Sequence, residues 1–282
     1  MTEELPAVAA ARMAGIRSSG TWGSSLASGE FAAIRSVGFE PVGQVFGASV
    51  YAAGSARGSS CPAVAGPLVR AMYQARRTAV GRMTAECAQL GGHGVVGVRL
   101  RRGSFSLGGL EFTAIGTAVR APGAAYGRRE PFTCDLTGQD FAKLIMTGWV
   151  PAGIALGISV GSRHDDRTTA RQARWTAGNA EVAGWTDLVS ESRHEARRQL
   201  EGEVRRFGAE GVVIAAMQLR VSQQDCPVTV GRRDHIVEAT VIGTGIARFS
   251  RAARWHAGPA LTLMSLDPQR RTGSAGRGSA PR

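Results

Sequence analysis

Lysine is almost missing from this chain, and aromatic residues and cysteine are sparse. Of the 34 basic residues only Lys143 is a lysine, and aromatics make up 6% of the sequence. With so few rings, strands and tight turns rather than aromatic stacking must build most of the core. The arginine excess leaves a net charge of +12, which has the look of a nucleic-acid binder. However, an Arg-for-Lys skew is also what GC-rich coding produces, and Arg270, Arg271, Arg277 and Arg282 fall in a Gly/Ser/Pro-rich tail. No RNA-binding strand motif, zinc-finger spacing or long basic helix is present. A solvated basic surface is therefore expected, and nucleic acid is not an expected partner.

Cys61, Cys87, Cys134 and Cys226 form no CxxC pair, so neither a disulfide framework nor a thiolate metal knuckle is expected, and a reducing compartment is the default. No apolar run reaches the ~20 residues of a membrane span, and MTEELP is acidic where a signal peptide needs positive charge. The cytoplasm is the expected location. GxGxxG, GxxxxGK[ST], GxSxG and HExxH are all missing, so the chain is read as non-enzymatic. A cleft between modules, or the second-half insertion carrying Trp175, Asn179 and Trp185, is the remaining place for an enzyme site.

What the chain has instead is a repeat. Residues Glu30 to Val50 (EFAAIRSVGFEPVGQVFGASV) recur 110 positions later as Asp140 to Val160 (DFAKLIMTGWVPAGIALGISV), with eight of twenty-one residues identical. Glu86 to Val96 recurs as Glu203 to Val213 at an offset of 117, and Glu111 to Val119 as Glu238 to Ile246 at 127. One ancestral module has been duplicated, with two loop insertions in the second copy. The expected organisation is a flexible segment 1–29, a first module 30–120, a linker 121–139, a second module 140–247 and a C-terminal segment 248–282 with a disordered basic tail.

Within each module the same elements can be read. Val42 to Tyr51 and Ala152 to Val160 have the small, apolar character of a buried strand. Leu68, Met72, Ala75, Ala79, Met83, Cys87 and Leu90 follow at three- and four-residue spacing and predict an amphipathic helix, as do Leu188, Ser192, Ala196, Leu200, Val204 and Phe207. Gly91 and Gly208 stand at the C-cap. A strand hairpin closes each copy. The fold class is α+β: two homologous modules, each a mostly antiparallel β-sheet with one packed amphipathic helix.

The helix ends LGGHGVVGVRL and FGAEGVVIAAM, the returning strands AIGTAV and VIGTGI, and the preceding GxxxG strands resemble the YbjQ-like family, whose label is heavy-metal binding. The resemblance covers both modules and looks like the two-copy form of GC-rich actinobacteria. It implies self-association into a homo-oligomeric ring, typically a pentamer. A divalent transition metal is the cofactor its label suggests.

The duplication filters candidate sites. Gly43 and Gly47 match Gly153 and Gly157, and Gly116 matches Gly243, a pattern of close backbone approach and assembly. Glu111 and Glu238 are strand carboxylates that both copies keep, suited to acid/base chemistry, to ligating a cation, or to a hydrogen bond at a sheet edge or subunit contact. Glu86, four residues after Arg82, reads as half of a surface ion pair. Among the histidines and cysteines only His93 has a possible metal ligand at its sister position, Glu210, and the run His164, Asp165, Asp166 is a local candidate. Sheet packing and assembly materials are repeated, whereas no histidine or cysteine is. The chain is accordingly expected to be an oligomeric binding or scaffold protein, with metal binding, sensing or sequestration as the alternative.

Overall fold

The computed structural model describes residues 5–52, 62–105, 109–123, 130–225 and 233–249. In chain order the elements are α1 (Ala7–Ser19), α2 (Ser28–Ser36), β1 (Glu40–Ala52), α3 (Pro62–Gln89), β2 (Gly94–Ser104), β3 (Gly109–Arg120), β4 (Phe132–Thr133), α4 (Gly138–Met146), β5 (Trp149–His164), α5 (Arg167–Gln172), α6 (Ala183–Arg206), β6 (Gly211–Asp225) and β7 (Arg233–Arg248). Two sheets result, ordered β1-β3-β2-β4 and β5-β7-β6, antiparallel throughout except for the parallel pair β2–β4. The second sheet is the first written again. Both carry bulges at matching places, Pro41/Gly43 and Pro151/Gly153 on the first strand, Val96/Arg99 and Ile214/Ala216 on the hairpin strand.

Each sheet is covered by its long helix, and the apolar stripes dictate which face is buried. Met72, Ala75, Ala79, Met83 and Cys87 of α3 are buried, as are Leu188, Ser192, Ala196, Leu200 and Val204 of α6. Burial of a side chain the size of Met83 or Leu200 contributes about 2–3 kcal/mol. The helices ride directly on glycine. A Cβ on Gly47 would stand 1.9 Å from the Ala79 carbonyl oxygen, and one on Gly157 would stand 1.9 Å from that of Ala196. Alanine on the helix and glycine on the strand together permit this backbone contact. Gly91 and Gly208, at φ of 70° and 65°, adopt the left-handed conformation that ends each helix and turns the chain into β2 or β6.

Two segments read as linkers are structured. Helix α1 buries Met13, and its Arg12 reaches the buried carboxylate of Glu86 on α3. Residues 130–137, between the modules, supply β4 and the N-cap of α4, whose Thr137 hydroxyl accepts from Asp140 N–H. The C-terminal residues 250–282, like Cys61 and Cys226, lie outside the described residues.

Candidate functional site

The modules of one chain meet along a built interface. β4 lies on the open edge of β2: Phe132 N–H donates to His93 O (3.1 Å), Cys134 N–H to Val95 O (2.9 Å), Val98 N–H to Cys134 O (2.9 Å) and Gly97 N–H to Leu136 O (3.1 Å). The Phe132 ring covers Gly94, where a Cβ would come within 2.2 Å of it. Phe132 in turn stacks on Phe141 of α4 at 5.9 Å and 12°. On its other side the segment is anchored to its own module, because Asp135 N–H donates to the Thr244 hydroxyl at 3.0 Å. Helices α2 and α4 cross here, and Glu30 accepts from Gly138 N–H at 3.0 Å. From α3, the Tyr73 hydroxyl donates to Leu156 O and accepts from Ile158 N–H, closing backbone groups on the edge of β5.

The sequence-singled residues fall around this frame. Gly116 and Gly243 sit opposite the bulges of β2 and β6, where a Cβ would approach Val95 Cγ1 at 2.6 Å and Val213 O at 2.5 Å. Gly43, at φ 152°, abuts Leu90, and Gly153 faces the Phe207 ring at 3.4 Å. Glu238 bonds Arg102 across the module boundary at 2.5 Å. Arg76 and Arg220 line the same small cavity. Arg76 is buried on Phe112; burial pulls its pKa down to about 10, so it stays charged at neutral pH, and its Nη1 has no partner among the described residues. Glu111 faces Val50 and Gly103 instead.

His93 and Glu210 do equivalent mechanical work. His93 Nδ1 accepts from Ala121 N–H at 3.1 Å, just past the end of β3, and Glu210 Oε1 accepts from Arg248 N–H at 3.0 Å, at the last residue of β7. What the two positions share is an acceptor atom, and that atom caps a strand.

The His164–Asp166 run was legible in part. The register of β5 on β7 sets His164 opposite Asp234 and Arg163 opposite His235. His164 Nδ1 lies against buried Asp234, and His235 Nε2 lies 3.0 Å from Asp165, which also accepts from Trp185 Nε1 at 3.2 Å. Asp166 caps α5 through Thr169 N–H. Trp185 tilts over the His235 ring, whereas Trp175 is 96% exposed and covers nothing. Among the described residues no three His, Cys, Asp or Glu side chains converge on one point. The candidate ligands therefore do not fit a metal centre of the kind the family label suggests.

A cavity of about 700 Å³ opens between α3, β5 and α6. Its central carboxylate, Glu203, is held by Arg77 at 2.6 Å and Arg206 at 2.9 Å, and no histidine, cysteine or serine lines it. The reading of Glu86 as a surface residue is corrected. It is 2% exposed and accepts from Phe46 N–H at 2.7 Å as well as from Arg12, while Arg82 donates to Ala48 O.

A duplicated α+β module whose two copies dock through an added strand defines the class: a tandem-repeat protein with a head-to-tail module interface. Residues 40–122 match the family model described as "Putative heavy-metal-binding", the YbjQ type. The encapsulin nanocompartment protein Rv1762c of Mycobacterium tuberculosis is 34% identical over 232 residues, covering 80% of this chain and 85% of that protein. The chain belongs to this YbjQ-like family, in its tandem form. No helix among the described residues is long and apolar enough to cross a membrane.

Proposed function

We propose that the chain is a non-enzymatic, self-assembling scaffold or binding protein of the cytoplasm that closes into a homo-oligomeric ring. The family resemblance favours a pentamer. The similarity to an encapsulin nanocompartment protein supports the self-assembly reading. One observation carries the reading: residues in equivalent places of the two modules are buried where the modules meet and exposed where no second module stands. Leu156 on β5 is 4% exposed and its counterpart Phe46 on β1 is 39% exposed. On the opposite face Val96 of β2 is 0% exposed and Val213 of β6 is 36% exposed. An interface satisfied once inside the chain leaves its two complementary halves open at the chain's ends, and such heterologous surfaces propagate until they close.

Native mass spectrometry of the full chain tests this. The expected result is one species at an integer multiple of 29.5 kDa. A single monomeric species at micromolar concentration would refute it. Heavy-metal binding, sensing or sequestration is the alternative, although no three His, Cys, Asp or Glu side chains group within one copy among the described residues. Near-stoichiometric zinc, copper or nickel in protein purified without an affinity tag would bring that alternative back.

A further inference from the structure

We infer that residues 22–26 of one copy add a strand to the open edge of β6 of the next copy. This deepens the ring reading and rests on it. The chain contains the template. Residues 22–28 (WGSSLAS) precede α2 as 132–138 (FTCDLTG) precede α4, at the same offset of 110. Although the two stretches share only one identical residue, they are built alike. Trp22 stacks on Phe31 at 5.7 Å and 9°, as Phe132 does on Phe141. Ser25 N–H donates to the Thr117 hydroxyl at 3.4 Å, as Asp135 N–H does to that of Thr244. The donor strand is therefore held in shape on its own module before any partner arrives, which lowers the entropy cost of docking.

The acceptor edge is built alike too. β6 ends its sheet among the described residues and repeats the bulge of β2, where the template receives its carbonyls. Carrying the template over by the repeat offsets, Trp22 N–H donates to Glu210 O and Ser24 N–H to Val212 O. Ala215, the residue left unpaired at the bulge of β6, then donates its N–H to Ser24 O, as Val98 does to Cys134 O. The Trp22 ring takes the place over Gly211 that Phe132 takes over Gly94. Above Gly211 a Cβ would meet only side-chain carbons of Ile246, at the ordinary contact distances of 3.5 and 3.8 Å, where above Gly94 the Phe132 ring lies 2.2 Å away. Phe31 is half-buried where Phe141 is fully buried, and Ile214 is 48% exposed beside Val213. Strand addition satisfies the backbone of an otherwise open edge, and the ring on glycine sets the register. Two differences work against a strict copy. Ile214 stands where Gly97 adopts a φ of 67°, so that donor of the template is not repeated. Ser28 stands where Gly138 lets α4 cross α2 closely, so the crossing between copies is wider.

The test uses two variants of the full chain, Trp22→Ala and Gly211→Leu, each disabling one half of the interface. Each alone is expected to keep the wild-type circular dichroism and to lose the ring, with dissociation at concentrations at least about thirty-fold higher than wild type. Mixed, they should form a dimer and nothing larger, because each supplies the half the other lacks. Trp22→Phe, which copies Phe132, should keep the ring and guards against misfolding as the explanation. If wild type is monomeric, the ring reading and this inference fall together. If wild type is oligomeric and both variants stay so, or the mixture gives no dimer, only the strand addition is overturned.

Discussion

Replacing Gly157 with alanine adds one methyl group at the tightest backbone contact in the second module. The new Cβ would lie 1.9 Å from Ala196 O and 2.9 Å from its carbonyl carbon, with Leu200 N at 3.0 Å. A comfortable carbon–oxygen contact is about 3.3 Å, so α6 must retreat by more than about 1 Å. The obstacle is helix backbone and cannot swing aside. A retreat of that size loosens the whole stripe from Leu188 to Val204, and a gap of 0.5–1 Å forfeits roughly a quarter to a half of each dispersion contact. The expected cost is at least about 3 kcal/mol, at the upper end of overpacking penalties, or a melting temperature lower by about 6–12 °C. Gly153→Ala is the control. It meets only the edge of the Phe207 ring at 3.4 Å, and its effect should lie within about 1 kcal/mol, on the stabilising side through the unfolded chain. Thermal unfolding followed by far-ultraviolet circular dichroism measures both. Because the contact lies inside one module, the difference should not depend on protein concentration. A Gly157→Ala midpoint within about 2 °C of the Gly153→Ala midpoint would refute the close-approach reading, and Gly47→Ala should repeat the result in the first module.

Cys87 and Cys134 are both pushed up to about 12 by burial, so folded protein should resist thiol reagents at these positions until it unfolds. In the unfolded chain a thiol ionises near its ordinary value of 9.0, which leaves stability untouched below that pH. As pH rises from about 9 towards 12, stability should fall by about 1.4 kcal/mol per pH unit per cysteine. Urea midpoints that stay flat between about pH 8 and pH 10.5 would contradict this. Glu238→Gln should destabilise by about 2–4 kcal/mol, because Arg102 and Arg76 lose their counter-charge. Arg76→Met should be neutral or stabilising, since it removes a buried cation with an unpartnered nitrogen. Reversal of that order in chemical denaturation would overturn the account of this cluster. Glu86→Gln weakens the tie to Arg12 and should release α1. Hydrogen exchange within Ala7–Ser19 should accelerate at least about tenfold, and unchanged protection there would show that Met13 alone holds the helix.

The fold was largely legible because its determinants are periodic and written twice. The stripe from Met72 to Cys87, its counterpart in α6 and the C-cap glycines each state a local rule that tertiary packing then obeys. Elements whose meaning depends on a distant partner were not legible. Glu86 reads as solvent-exposed until Arg12 and the Phe46 amide are seen beside it. The match between WGSSLAS and FTCDLTG is nearly invisible in the letters, because backbone hydrogen bonds and a ring over glycine tolerate almost any side chains between. Likewise, His164 and Asp165 meet Asp234 and His235 only once the β5–β7 register is known, and the long hairpin between β6 and β7 hides that register.

The excursion from Arg167 to Val182 is seven residues longer than the matching stretch of the first module and carries Trp175 on an exposed 3-10 turn, Trp175–Ala177. In a closed ring of such chains the modules outnumber these excursions two to one, so the rim alternates plain and decorated positions. Fusion thereby gives the assembly something that identical unfused modules lack. A partner that recognised the longer excursion would therefore bind such a ring at half the module count.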